Sequence, residues 1–153
     1  MKVEYNNLYT HFVFTTFNRV QLILEKNRTR IEKYITGIVN NTGCHLYAIF
    51  ANPEHVHFLV SRASNIDEDS LATTIANSSE RFINENKLCV GVFQWQDSCS
   101  AFSVSKRDIP KVCEYIKNQK EHHKKQNYNE EYAMFIKFYQ QTINNKSGNK
   151  VDI

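Results

Sequence analysis

Two histidines flank one apolar residue in the stretch Glu54-His55-Val56-His57-Phe58-Leu59-Val60. In an extended chain, side chains two residues apart point the same way. His55 and His57 therefore share one face, while Val56 and Phe58 can turn to a core. Two imidazoles on a rigid strand make half of a metal site. Further along, Val112 to Lys125 reads as a helix that places Tyr115 and Gln119 one turn apart on one face. Lys117, Lys120, Lys124 and Lys125 crowd positive charge into the same segment. A phenol, an amide oxygen and a basic rim suit a phosphate backbone. Together the parts point to phosphodiester chemistry. The two imidazole nitrogens and the Gln119 oxygen would hold one divalent ion that polarises the scissile phosphate. Tyr115 would attack phosphorus and form a covalent phosphotyrosine. A free tyrosine has a pKa of about 10 and needs help from metal, base or geometry. Its phosphodiester link would keep the bond energy, so a strand could be rejoined without ATP. Two imidazoles alone favour zinc or another late transition metal; the amide oxygen and open water positions move the balance to Mg2+ or Mn2+.

The elements that must position these groups follow from periodicity. Tyr9–Thr16 reads as a strand, and Arg28–Asn41 as a helix stopped by Gly43. Cys44–Ala51 and His55–Ser61 read as strands of an antiparallel hairpin closed by Asn52-Pro53-Glu54. A second helix runs from about Asp67 to Asn86, and Val92–Trp95 and Ala101–Ser105 read as strands. A third helix starts near Asp108, with Pro110 in its first turn, and continues to about Lys124. Tyr132–Tyr139 reads as a short fourth helix. This order predicts an α+β fold: a ferredoxin-like or RNA-recognition-like antiparallel sheet with helices on one face. One domain over residues 1–143 is expected, followed by a polar tail over 144–153.

Bulk properties narrow the function classes. The chain has 153 residues, 41% of them hydrophobic, with ten Phe and eight Tyr, which supplies a sizeable core. Four Gly and two Pro favour regular elements over low complexity. A net charge of +3 permits a nucleic-acid partner without requiring one. Cys44, Cys89, Cys99 and Cys113 are too scattered for a zinc knuckle and read as small buried hydrophobes. No signal-peptide pattern or membrane-length apolar run is seen, so the expected location is the cytoplasm, with no membrane association. There is no Gly-rich phosphate loop, which argues against a nucleotide cofactor.

The chain resembles the single-tyrosine HUH transposases of bacterial insertion sequences, the insertion-sequence two-hundred family with its repeat-associated domesticated relatives. His55-Val56-His57 is the His–hydrophobic–His element of that name. The likeness extends to His11-Phe12-Val13-Phe14-Thr15-Thr16 with Asn18-Arg19, Asn52-Pro53-Glu54 and Phe93-Gln94-Trp95-Gln96-Asp97. It continues through Ala101-Phe102-Ser103-Val104-Ser105, Tyr115-Ile116-Lys117-Asn118-Gln119 and Glu121-His122-His123. These segments lie in order over roughly residues 8 to 135. The resemblance implies a homodimer that cleaves and rejoins single-stranded DNA beside a hairpin, through a 5′-phosphotyrosine and a divalent metal. It implies Tyr115 as nucleophile and His55, His57 and Gln119 as metal ligands. Two departures stand out. Ser98-Cys99-Ser100 occupies a segment that is usually glycine-rich, and Asn77-Ser78-Ser79 lacks a lysine before its serines.

Each feature has a plainer reading. A His-x-His on a strand often only hydrogen-bonds locally, and a helix tyrosine often packs into a core. The lysines from Lys120 to Lys125 could be a solvated helix end favoured by the dipole. Trp95 reads as scaffold rather than as a base-stacking platform. Arg19 is either a DNA contact or a surface ion pair. The rival functions are a domesticated nickase of chromosomal repeats using the same chemistry, and a non-catalytic module that binds single-stranded nucleic acid.

Overall fold

The computed structural model describes residues 1–121 together with Glu130, Ala133 and Lys137. The chain forms two compact units, Met1–Asn118 and Gln119–Ile153. The described residues of the second unit are helical. The expected fourth helix lies outside the described residues apart from Ala133 and Lys137, and so does the tail from Asn144.

The first unit is built on four strands: β1 (Tyr9–Thr15), β2 (His45–Ala51), β3 (His55–Ser61) and β4 (Ser100–Val104). They pair antiparallel in the order β2-β3-β1-β4. Three helices accompany them: α1 (Glu25–Asn41), α2 (Glu68–Glu85) and α3 (Ile109–Lys117). The expected α+β architecture with an RNA-recognition-like sheet is what the chain adopts. The hairpin of β2 and β3 is closed by Asn52-Pro53-Glu54, as the short connection requires.

Strand alternation sorts the side chains into two cores. Phe12, Phe14, Val56, Phe58 and Val60 face α1 and α2, joined by Ile31, Ile35, Val39, Leu71, Ile75 and Ile83. Phe12 and Phe58 are directly opposite in the β1–β3 register, and their rings stack with centroids 5.2 Å apart. Tyr34 of α1 stacks on Phe82 of α2 at 3.8 Å, which locks the two helices together. Asp67 starts α2 by accepting a 2.7 Å hydrogen bond from the Ser70 amide. Ala48, Leu59, Val104 and Ile116 form a smaller cluster on the other face, beneath α3. The two long helices thus share one face as expected, while α3 takes the opposite one.

Three details differ from the sequence reading. α1 starts at Glu25, three residues early. Val92–Trp95 is no strand: Trp95 makes one isolated bridge, to Thr16. Side chains of α2 take the Phe93 groups and the Trp95 amide, while the Gln94 carbonyl accepts from the Phe17 amide at 2.9 Å. Asn84 accepts from the Phe93 amide at 2.7 Å and donates to the Phe93 carbonyl at 2.9 Å, and Glu80 accepts from the Trp95 amide at 3.3 Å. The third helix stops at Lys117, with Asn118 at φ −92° and ψ 15°. Helical geometry resumes at Gln119, so Tyr115 and Gln119 do not share one unbroken helix.

Candidate functional site

The sheet face beneath α3 carries an unusual polar group for a core. His11, His55 and His57 are 0%, 0% and 3% exposed. The register explains why they meet. Val13 is opposite His57, Thr15 is opposite His55, and His11 is opposite Leu59 and Phe102. Period-two alternation puts all three imidazoles on one face, with His11 diagonal to His57. Val56 and Phe58 turn to the larger core, as expected from the sequence.

Each of the two expected histidine ligands is oriented by a neighbour. Nδ1 of His55 lies 2.9 Å from Oε1 of Glu54, and its Nε2 lies 3.3 Å from the Asn52 amide nitrogen. An amide nitrogen only donates. His55 Nε2 is therefore the acceptor, and Nδ1 carries the proton given to Glu54. A carboxylate on one imidazole nitrogen is the usual support for metal ligation through the other. Nδ1 of His57 lies 2.9 Å from Nε2 of His11. With His57 ligating through Nε2, its Nδ1–H donates to His11, whose own proton then sits on Nδ1.

The distance between the two rings is compatible with one shared ion. With metal–nitrogen bonds of roughly 2.1 Å, two imidazoles at 90–110° about one ion have ring centroids roughly 4.6–5.3 Å apart. The His55 and His57 centroids are 5.0 Å apart. Among the described residues, no three His, Cys, Asp or Glu side chains converge on a common metal position.

Tyr115 is half-buried on α3 and packs against the small cluster on this face. Its ring centroid is 5.8 Å from that of His57 and 6.5 Å from that of His11. The tyrosine ring therefore lies beside His57 and His11 of its own chain. Gln119 is fully buried and opens the second unit.

The hairpin beneath the pair is held from several sides. The Thr16 amide donates to the Glu54 carbonyl at 2.9 Å, and the Ile23 amide donates to the Pro53 carbonyl at 3.0 Å. The Ala51 amide donates to Glu32 of α1 at 3.3 Å, and Arg28 pairs with Glu32 at 2.8 Å while lying over the Phe50 ring. Burial pushes the Glu32 carboxyl above its ordinary value of 4.5, outweighing the pull of Arg28.

The basic residues are more dispersed. Arg19 is exposed in a 3-10 turn just after β1, at a left-handed φ of 56°. Lys117 and Lys120 are exposed; Lys124, Lys125, His122 and His123 lie outside the described residues. Trp95 is buried and donates through Nε1 to Ser79 Oγ at 2.9 Å, a scaffold role. Ser98, Cys99 and Ser100 have no left-handed φ, so this backbone needs no glycine there. Of the four cysteines expected to be buried, Cys44 is; Cys89 and Cys113 are half-buried and Cys99 is exposed.

Sequence reasoning missed Asn52, Glu54 and His11 as site residues. The first two read as a turn and as part of the family likeness, with no role of their own. His11 becomes a neighbour of His57 only once β1 is paired with β3, a long-range choice.

Comparison with known proteins gives two similar folds and one family. No protein of curated function matches the chain. One similar solved structure is a candidate transposase from Deinococcus radiodurans R1, at 20% identity, covering 78% of this chain and 96% of that one with a TM-score of 0.60. Another is a REP-associated tyrosine transposase bound to a REP hairpin, at 16% identity, covering 80% and 73% with a TM-score of 0.60. At such identities these two establish the fold alone. The family described as IS200-like transposase matches residues 4–119, which takes in both histidines, Tyr115 and Gln119, and the chain belongs to that family.

Proposed function

We propose that this transposase cleaves and rejoins single-stranded DNA at hairpin-flanked ends through a 5′-phosphotyrosine formed on Tyr115. The observation that carries the reading is the Tyr115 ring standing 5.8 Å from the His57 ring on a buried polar patch. His55, His57 and Gln119 are the proposed holders of a Mg2+ or Mn2+ ion. Such an ion, when bound, withdraws charge from a phosphate oxygen. The chain's own residues do the rest. Glu54 and His11 keep the two imidazoles turned with their ligating nitrogens toward the phosphate. The packing of Tyr115 against the small cluster holds its ring beside His57, so that its oxygen can attack phosphorus. The phenol gives up its proton as its oxygen bonds to phosphorus, the P–O bond to the departing 3′-oxygen breaks, and that oxygen takes up a proton to become the 3′-hydroxyl that attacks the second junction.

Arg19, Lys117, Lys120, Lys124 and Lys125 are the proposed contacts to the DNA backbone, where sequence-independent charge supplies much of the affinity. A hairpin substrate is supported by the REP hairpin bound to the structurally similar transposase. The family likeness supports a homodimer, which sedimentation would detect.

The test is incubation with labelled single-stranded DNA carrying a hairpin, with Mn2+, followed by denaturing electrophoresis. A covalent adduct is expected with the natural protein and none with Tyr115→Phe, while hairpin binding persists. An adduct of undiminished yield in Tyr115→Phe would refute the assignment.

A further inference from the structure

The histidine face holds another polar side chain beyond those already given roles in holding the ion. Alternation along the end of β2 puts Ala48, Phe50 and Asn52 on the same side as the histidines. Asn52 is 2% exposed. Its backbone is fixed where the hairpin turns, with its amide donating to the His55 carbonyl at 2.8 Å. Its side-chain nitrogen lies 3.3 Å from His55 Nε2, the very nitrogen that would ligate an ion. A group donating to that lone pair competes with a metal for it. It either obstructs the ion or belongs to its shell.

We propose that Asn52 is an additional metal ligand, supplying its amide oxygen to the ion held by His55 and His57. The inference rests on the divalent-ion reading of the histidine pair. Three observations support it. The carboxamide has nearly the same shape after a half-turn about its last torsion, so oxygen can replace nitrogen without moving the hairpin. Neighbouring donors of an octahedral ion with bonds of roughly 2.1 Å are roughly 3.0 Å apart, close to the observed 3.3 Å. Mg2+ and Mn2+ favour oxygen donors, and Asn52 offers one inside the unit that carries both histidines. In the structure the same side chain caps Nε2 of His55.

Two roles for Asn52 predict opposite signs, which makes the test sharp. Mn2+ would be titrated into the full-length protein by calorimetry, with free Mn2+ followed by electron paramagnetic resonance. As a ligand, Asn52 predicts at least tenfold weaker binding in Asn52→Ala and binding as tight as natural or tighter in Asn52→Asp. As a mere cap it predicts unchanged or tighter binding in Asn52→Ala, and that result would overturn the proposal. Should Asn52→Ala fail to fold, Asn52→Asp decides: weaker binding than the natural protein overturns the proposal and tighter binding supports it. His57→Ala separates the two levels. If it binds Mn2+ like the natural protein, the ion is not at the histidines and both readings fall. If it binds weakly while Asn52→Ala does not, only the role of Asn52 falls.

Discussion

Nε2 of His11 reaches to 2.9 Å from Nδ1 of His57, bridging two adjacent strands inside the protein. This contact occupies Nδ1 of His57, which makes Nε2 the nitrogen for the proposed ion. His11→Phe keeps a ring against Phe102 but deletes the partner. We expect Mn2+ affinity to fall about 10- to 100-fold, the usual effect of losing a support behind a ligand. Calorimetry checks it, and circular dichroism should show an unchanged fold.

Glu54 performs the same service for His55, through a 2.9 Å contact to Nδ1. Glu54→Gln retains an oxygen acceptor there, whereas Glu54→Ala does not. Glu54→Ala should weaken Mn2+ binding about 10- to 100-fold and Glu54→Gln clearly less. Equal losses in the two variants would mean that the charge of Glu54, not its acceptor, is what matters.

Ser79 links α2 to the loop around Trp95. Its hydroxyl donates to the Ile75 carbonyl at 2.6 Å and accepts from Trp95 Nε1 at 2.9 Å. Ser79→Ala leaves the buried indole N–H without its acceptor, at a cost of about 1–3 kcal/mol. Urea denaturation should show that loss as a lower midpoint with an unchanged slope.

Glu32 gives a pH signature. Its carboxyl is held above 4.5 mainly by burial. The folded state therefore binds the proton more tightly than the unfolded one. The stability this contributes is complete below about pH 4.5, the unfolded value, and is lost as pH rises through the raised folded value. Glu32→Gln lacks this loss and keeps an oxygen for the Ala51 amide. Melting temperatures of the two proteins should run parallel below pH 4.5 and diverge in favour of Glu32→Gln above it.

Local pattern made most of the fold legible. β-branched and aromatic runs gave the strands, and the short Asn52-Pro53-Glu54 link required an antiparallel hairpin. Stretches decided by distant partners were not legible. Val92–Trp95 has strand composition, yet Asn84 and Glu80 of α2 claim backbone groups of Phe93 and Trp95. The run through Tyr115 reads as one helix, and nothing in its spacing marks the stop at Lys117. The site divides similarly. His55 and His57 announce themselves by spacing, because both lie on one strand. His11 is a single histidine in an apolar stretch, and its role exists only through pairing with β3. Asn52 and Glu54 look like turn residues because they are, and their side chains gain chemistry from the two strands the turn joins.

The diagonal placement of His11 and His57 sets a limit on how this protein can change. A strand shifted by one residue turns every side chain over. In β1 that would swing His11 and Val13 toward the helices and push Phe12 and Phe14 into the site. Inserting or deleting one codon between Thr10 and Thr15 would thus ruin folding and chemistry in a single step. Substitutions at Tyr9 or Thr15, which are only partly buried, spare that alignment. The gene can drift in spelling along this strand but not in length.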